Sequence, residues 1–400
     1  MKYSPARALN GSMPSFTDSY RACTSRDMGS FSKSCAPAAE RQSRTAAKRT
    51  TEIVLMEFAM KHSSPAIQCI TACRAPQHER DLCARSSMYY NTGGTMEQAY
   101  DGTTRGIILD TAHGTLRDGP GWRSIVYFKG CNFKCAWCGS PETWNRAPEV
   151  LYYEDRVKYP ERLAATCGRG ALRMQNGGLQ MDRARCETCE AFSCALCCAD
   201  GSVELAGREV TVQDIIRDIL PFRRAHSEYG VTLSGGEATL QWDFYMELLK
   251  ACRAHGLHTA VETNGSSPRL PESFPLLGLV MCDLKHIDSA EHRRWTGHGN
   301  EQILENIRAA ARAPDTDLRV RIPLVPEVNG GSVLDRMIEF LLPLKDLLEV
   351  EILGFHRMGA YKWKALGRAY QFSHTQETPQ SEIEQAILKM TRAGLCMVRS

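Results

Sequence analysis

Cys131, Cys135 and Cys138 fall within eight residues, in Cys131-Asn-Phe-Lys-Cys135-Ala-Trp137-Cys138, directly after the apolar run 124–128. Three thiolates on one short loop can hold three irons of a cubane cluster. The fourth iron is then open to bind and reduce a small molecule. A zinc knuckle is the competing reading, but structural zinc almost always takes four Cys or His ligands. No His lies in or beside this loop, so iron is the better reading.

Such a loop needs elements to hold it. From Arg105 onward, apolar runs at 124–128, 231–233, 258–262, 279–283, 318–324 and 348–354 read as strands. Between them, 212–228, 242–254, 301–312 and 333–347 read as helices, and 381–393 as a closing helix. Six parallel strands with crossover helices predict an α/β fold, a partial (β/α)6 TIM barrel. Active sites of barrel folds lie at the C-terminal strand ends. Here those ends carry the cysteine loop, Ser234-Gly-Gly-Glu237, Glu262-Thr263-Asn-Gly265, Asp283-Leu-Lys285 and Phe355-His356. Five polar ends on one rim exceed what chance loops supply.

Taken singly, these features have ordinary explanations. Gly-Gly-Glu often marks only a turn, a strand-end Lys is usually a solvated tip, and a His after an apolar strand is usually a satisfied core residue. Gly235 and Gly236 sit where backbone would approach a ligand closely. Arg319 and Arg321 share one face of their strand, placed either to meet an acidic protein loop or to form ion pairs in the barrel interior. Cys252, Cys282 and Cys396 read as small packed hydrophobes.

Asp118-Gly-Pro-Gly-Trp-Arg123, Lys129-Gly-Cys-Asn-Phe-Lys-Cys-Ala-Trp-Cys138 and Ser140-Pro-Glu142 together resemble the radical S-adenosylmethionine (SAM) activating enzymes of glycyl radical enzymes. The resemblance runs from about residue 105 to 370. It implies a [4Fe-4S] cluster on Cys131, Cys135 and Cys138, with SAM chelated at its open iron and Trp137 beside the cofactor. It also implies that the Gly235, Gly236, Glu237 segment receives the SAM amino group. Glu262 and Thr263 would lie near the SAM ribose and a monovalent cation, Asp283 at the cation, Lys285 at the SAM carboxylate, and His356 against SAM. The family usually has Asn at Ser140, Pro at Ala238 and Asp at Glu262. His292, Thr296, Gly297 and Asn300 match a signature read as structural.

Residues 150–210 are too long for an ordinary connection and should form a unit. Cys186-x2-Cys189-x4-Cys194-x2-Cys197-Cys198 has cluster spacing close to a ferredoxin run, with a zinc ribbon as the alternative. Cys167 looks like the last ligand of a first run whose other ligands are gone, as in the two-cluster insert of some glycyl radical activases with one half degenerate. In two-cluster ferredoxins the fourth cysteine of each run ligates the other cluster. That rule gives Cys186, Cys189, Cys194 and Cys167 to the surviving second [4Fe-4S] cluster. Local closure by Cys198 is the competing set.

The chain has 400 residues, a formal charge of +3 and 17 cysteines. Residues 1–95 carry 13 Lys/Arg against 7 Asp/Glu, and the remaining 305 carry 36 against 39. Residues 1–95 lack periodicity apart from a short apolar run at 53–60, which reads as disorder. An organellar transit peptide and a mis-assigned start before Met96 are the other readings. Cys23, Cys35, Cys69, Cys73 and Cys83 in this segment receive no chemistry. No apolar run reaches membrane-spanning length, and the clustered cysteines fit a reducing cytoplasm better than a disulfide scaffold. The expected function is reductive SAM cleavage followed by hydrogen abstraction from a glycine Cα of a partner enzyme. Flavodoxin or ferredoxin would supply the electron, with no nucleic acid and no membrane involved. The rivals are a radical SAM enzyme acting on a small molecule or peptide, and a non-catalytic electron-transfer or zinc module.

Overall fold

The computed structural model describes residues 100–226 and 228–398, all within the unit Met88–Ser400. The expectations for residues 1–95 lie outside the described residues. The main sheet has nine strands. These are β1 (Arg105–Thr115), β2 (Trp122–Phe128), β7 (Arg208–Thr211), β8 (Tyr229–Gly235), β9 (His258–Thr263), β10 (Leu279–Asp283), β11 (Asp317–Leu324), β12 (Glu349–Gly354) and β13 (Cys396–Val398). Their order is β13-β12-β11-β10-β9-β8-β2-β1-β7, and β2 through β13 run parallel along it. β3 (Glu149–Tyr152), β4 (Leu172–Gln175), β5 (Gly178–Met181) and β6 (Val203–Ala206) form two small antiparallel sheets between β2 and β7.

All six expected strands are present, and three more extend the sheet. β1 pairs antiparallel with both β2 and β7. Gly106, Asp110, His113 and Gly114 interrupt its apolar pattern, so it shows no clean alternation. β13 has only three residues and places Cys396, expected in a tail, beside Glu349.

Ten helices connect the strands among the described residues: α1 (Pro160–Thr166), α2 (Arg183–Glu187), α3 (Ser193–Leu196), α4 (Val212–Ala225), α5 (Trp242–Ala254), α6 (Ser289–Thr296), α7 (Glu301–Ala311), α8 (Ser332–Leu341), α9 (Ala360–Ala365) and α10 (Gln380–Arg392). α4 starts on a capping box between Thr211 and Asp214 and buries Val212, Ile215, Ile216 and Ile219 at helical spacing. It ends at Ala225, short of the expected 228, where His226 turns extended. α8 stops at Leu341 and gives way to a 3-10 turn containing Pro343, which cannot donate within a helix.

α4, α5, α7, α8 and α10 cover the outer faces of the strands in one apolar core that includes Val126, Val231, Val261, Val280, Val320 and Val350. Each fully buried side chain of this kind contributes about 1.5–3 kcal/mol of transfer free energy. Alternation then turns the other side chains to the opposite face, and that face is largely polar. It carries Thr232, Ser234, Glu262, Asp283, Arg319, Arg321, Glu349 and Glu351.

Candidate active site

The cysteine loop leaves β2 and is pinned by its main chain. Gly130 N–H donates to Thr143 O at 2.6 Å and Cys131 N–H to Trp144 O at 3.0 Å. On the other side, Lys134 and Ala136 donate to the Thr296 and Trp295 carbonyls at the end of α6, at 2.8 and 3.0 Å. Phe133 and Trp137 are buried beneath the loop. Phe133 packs on the rings of His292 and His298, and Trp137 on Trp295 and Phe372. Trp137 therefore props the loop from below.

The three thiols lie in one neighbourhood. Burial pushes Cys131 up to about 12 and raises Cys135 and Cys138 as well. The nearby sulfurs add to this for Cys131 and Cys135, while the Lys285 ammonium opposes it at all three. Lys285 is itself buried and ion-paired with Asp283. Burial works against its charge, but Asp283 and the thiols outweigh that and raise its pKa. Amide and indole groups face the sulfurs: Ser140 N–H lies 3.4 Å from Cys138 Sγ, and the Trp144 side chain also bonds Cys138.

Gly235 and Gly236 make their close approach to protein backbone, not to an open ligand face. A Cβ on Gly235 would fall 2.3 Å from the Phe128 backbone, and one on Gly236 would fall 2.2 Å from Gly130 O. Both glycines let the end of β8 lie against the cysteine loop, where Glu237 N–H donates to Gly130 O at 2.8 Å. The Glu237 carboxylate is fully buried. It accepts from Thr239 Oγ1 at 2.6 Å, Thr263 Oγ1 at 2.8 Å and Asn264 N–H at 2.7 Å. This carboxylate joins the ends of β8 and β9.

Glu262 accepts from Ser234 Oγ and is ion-paired with Arg321. Arg321 also reaches Asp118 at 3.5 Å and Glu351 at 3.3 Å, and Arg319 pairs with Glu349 at 3.0 Å. The expectation that these arginines meet an acidic protein loop is thus corrected: internal carboxylates neutralise both. His356 is exposed at the rim, and a Cβ on Gly139 would lie 3.9 Å from its Cε1. It is not a packed core residue.

Two supporting helices lie outside the helices expected from periodicity. α6, polar on every face, supplies the carbonyls under the loop. α9 lies against its far end, where Trp363 Nε1 donates to Cys138 O at 2.9 Å and Lys362 pairs with Glu142 at 2.5 Å. The structural reading of the 292–300 signature fits Asn300, which donates to the His286 and Ile287 carbonyls.

Comparison with known proteins bears on this arrangement. Residues 188–341 match the Radical SAM superfamily, and residues 117–167 match the 4Fe-4S single cluster domain. The 4-hydroxyphenylacetate decarboxylase activating enzyme of Clostridioides difficile strain 630 is 32% identical over 291 residues, covering 70% of this chain and 91% of the relative. The isethionate sulfite-lyase activating enzyme of Nitratidesulfovibrio vulgaris is 33% identical over 300 residues, covering 72% and 94%. The chain belongs to the radical SAM activating enzymes of glycyl radical enzymes. A crystallised domain of a pyruvate-formate lyase-activating enzyme from Bacteroides vulgatus is 29% identical, covering 43% of this chain and 98% of that one, with a TM-score of 0.36.

An activating enzyme of this family uses an iron–sulfur cluster and SAM, and the donors here fit both. Three soft thiols are grouped, partly shielded from water and faced by a buried ammonium. Among the described residues, no three or more His, Cys, Asp or Glu side chains close round a single metal ion. No described helix is long and apolar enough to cross a membrane.

The activase carries six further cysteines, Cys167, Cys186, Cys189, Cys194, Cys197 and Cys198, between β3 and β6. Val150, Leu163, Leu172, Leu179, Cys194 and Val203 form a separate small core, with Cys167, Cys186 and Cys198 packed against it. Its two halves repeat. α1 leads to Cys167, whose sulfur accepts from Leu172 N–H at 3.3 Å at the start of β4. α3 leads to Cys198, whose sulfur accepts from Val203 N–H at 3.2 Å at the start of β6. Leu163 stands four residues before Cys167 as Cys194 stands four before Cys198, and both are buried. Burial first, then the Cys167, Cys186 and Cys189 sulfurs, raises Cys194 to about 11. Cys198 instead bonds Asp200 Oδ1 at 3.2 Å. Cys197 is exposed.

Proposed function

We propose that Cys131, Cys135 and Cys138 hold the [4Fe-4S] cluster at which this activase binds SAM. Lys285 would sit at the SAM carboxylate, and the main chain of residues 235–237 at the SAM amino group. The observation that carries this reading is the group of three thiols, Cys135 buried and Cys131 and Cys138 half-buried, near Lys285 at the parallel strand ends. Bound there, cluster and SAM would supply the one-electron reductive chemistry that ends in removal of a hydrogen atom from a glycine Cα of the partner. The chain's own residues exclude water, order the loop and place a positive charge on the SAM side. His356 would line the approach from β12, while Thr263 would act through its bond to Glu237. Glu262 and Asp283 are already neutralised by Arg321 and Lys285. The reading therefore assigns the charge balance there to these two side chains rather than to a monovalent cation. The partner is a glycyl radical enzyme, and a flavodoxin or ferredoxin of the cytoplasm is the electron donor. Cys138→Ala in the reduced, anaerobically reconstituted protein should abolish 5′-deoxyadenosine release. A wild-type yield would overturn the assignment.

The same reading gives the insert a second [4Fe-4S] cluster on Cys167, Cys186, Cys189 and Cys194. It rests on the grouping of those four sulfurs and on the separate bonding of Cys198 to Asp200. Iron and acid-labile sulfide should each approach about eight per chain. Cys167→Ala should lower them toward about four, while Cys198→Ala leaves them unchanged. The reverse pattern would favour local closure by Cys198, and zinc with about four irons would remove the second cluster.

A further inference from the structure

The Cys131 sulfur is met by a side chain from a separate strand end. Asn264 follows β9 and is 6% exposed. Its Nδ2 lies 3.9 Å from Cys131 Sγ, within reach of a sulfur acceptor, and 3.0 Å from Asn132 Oδ1. The amide has one satisfactory orientation. Its Oδ1 accepts the Ser266 backbone N–H at 3.0 Å, so the NH2 group is turned toward the sulfur. Its two hydrogens then have two acceptors. The neighbours hold this arrangement: Glu237 accepts the Asn264 N–H, and Asn132 Nδ2 donates to Ser266 Oγ at 2.8 Å.

We propose that Asn264 is a positioning residue for reduction of the cysteine-loop cluster, raising its reduction potential through an N–H placed on the Cys131 sulfur. Reduction adds one electron from the external donor and makes or breaks no bond at Asn264. The reduced cluster carries one more negative charge, and an N–H aimed at a ligand sulfur stabilises that form more than the oxidised one. Hydrogen bonds to sulfurs are among the determinants of cluster potential, and burial strengthens this one. The Ser140 N–H on Cys138 comes with the loop's own fold. Asn264 comes from a separate strand end, which makes it a point where this activase's potential is set. The proposal rests on Cys131 being a cluster ligand.

The test is a redox titration of the anaerobically reconstituted full chain without SAM, followed by electron paramagnetic resonance. Asn264→Leu removes the N–H and should shift the midpoint to a more negative potential at full iron load. Asn264→Asp keeps the acceptor for Ser266 and should shift it in the same direction, whereas Asn264→Gln should return it toward wild type. A weak one-electron donor should then reduce Asn264→Leu less completely than wild type. An unchanged midpoint in Asn264→Leu overturns the proposal. So does failure of all three variants to assemble a cluster, which would make Asn264 a scaffold residue. Cys131→Ala is read separately by its iron content: retention of the loop's irons would overturn the ligand assignment itself.

Discussion

A carboxylate with no access to water, Glu237, joins the ends of two strands at the candidate site. Its neighbours donate from Thr239, Thr263 and Asn264, so the ionised form is bonded on both oxygens. Burial alone raises its pKa, and these donors oppose the shift. Glu237→Gln replaces one acceptor oxygen with a donor facing other donors. The loss should be about 1–3 kcal/mol, read as a lower denaturant midpoint at unchanged m-value. If stability were unchanged and only SAM affinity fell, the carboxylate would be a ligand group and not a tie. The sequence singled out this position but not its contacts. Gly-Gly-Glu at a strand end is a local pattern, whereas what the glycines touch depends on where β2 lies. Likewise, alternation put Arg319 and Arg321 on one face, but only the register with β12 supplies Glu349 and Glu351 as partners.

At the scale of elements, the cysteine loop has little structure of its own and borrows it from α6 and α9. The six central strands were legible because each is a short apolar run feeding a polar turn. α6 was not, since Ser-Ala-Glu-His-Arg-Arg-Trp-Thr offers no apolar stripe. It is helical because Asp288 caps Ala290 and Glu291 at 3.0 and 3.1 Å and because His292 and Thr296 are buried. α9 is six residues long, too short for a periodic signal. Its Trp363 bonds Cys138 O, and its ring stands edge-on to Trp144 at 4.9 Å. Trp363→Phe keeps a ring there and removes the N–H. It should cost about 1 kcal/mol of stability and speed cluster loss to a chelator, followed as bleaching of the visible absorbance. Unaltered bleaching would show that the loop holds its shape without α9.

At the scale of the molecule, the polar face of the sheet and the loop packing hold, among the described residues, two histidines with a buried, unbonded nitrogen, His258 Nδ1 and His292 Nε2. Burial, with help from the Arg123 and Arg253 charges, lowers His258 to about 3. Burial also lowers His292 to about 4, against the bond to His298 O. Both are therefore neutral in the folded protein near pH 7. An unfolded chain protonates the same groups near pH 6.5. Above that pH neither state binds the proton and the histidines have no effect. As pH falls below about 6.5 the unfolded state takes up protons that the folded state refuses, and stability drops by about 1.4 kcal/mol per pH unit for each histidine. The loss continues until the folded pKa values are reached. Denaturant midpoints measured from pH 7.5 to 5 should be level at first and then fall. His258→Gln should remove about one proton's share of that slope while leaving the value at pH 7.5 closer to wild type than the value at pH 5. An identical slope in the variant would mean that His258 gains a partner, or water, when it is charged.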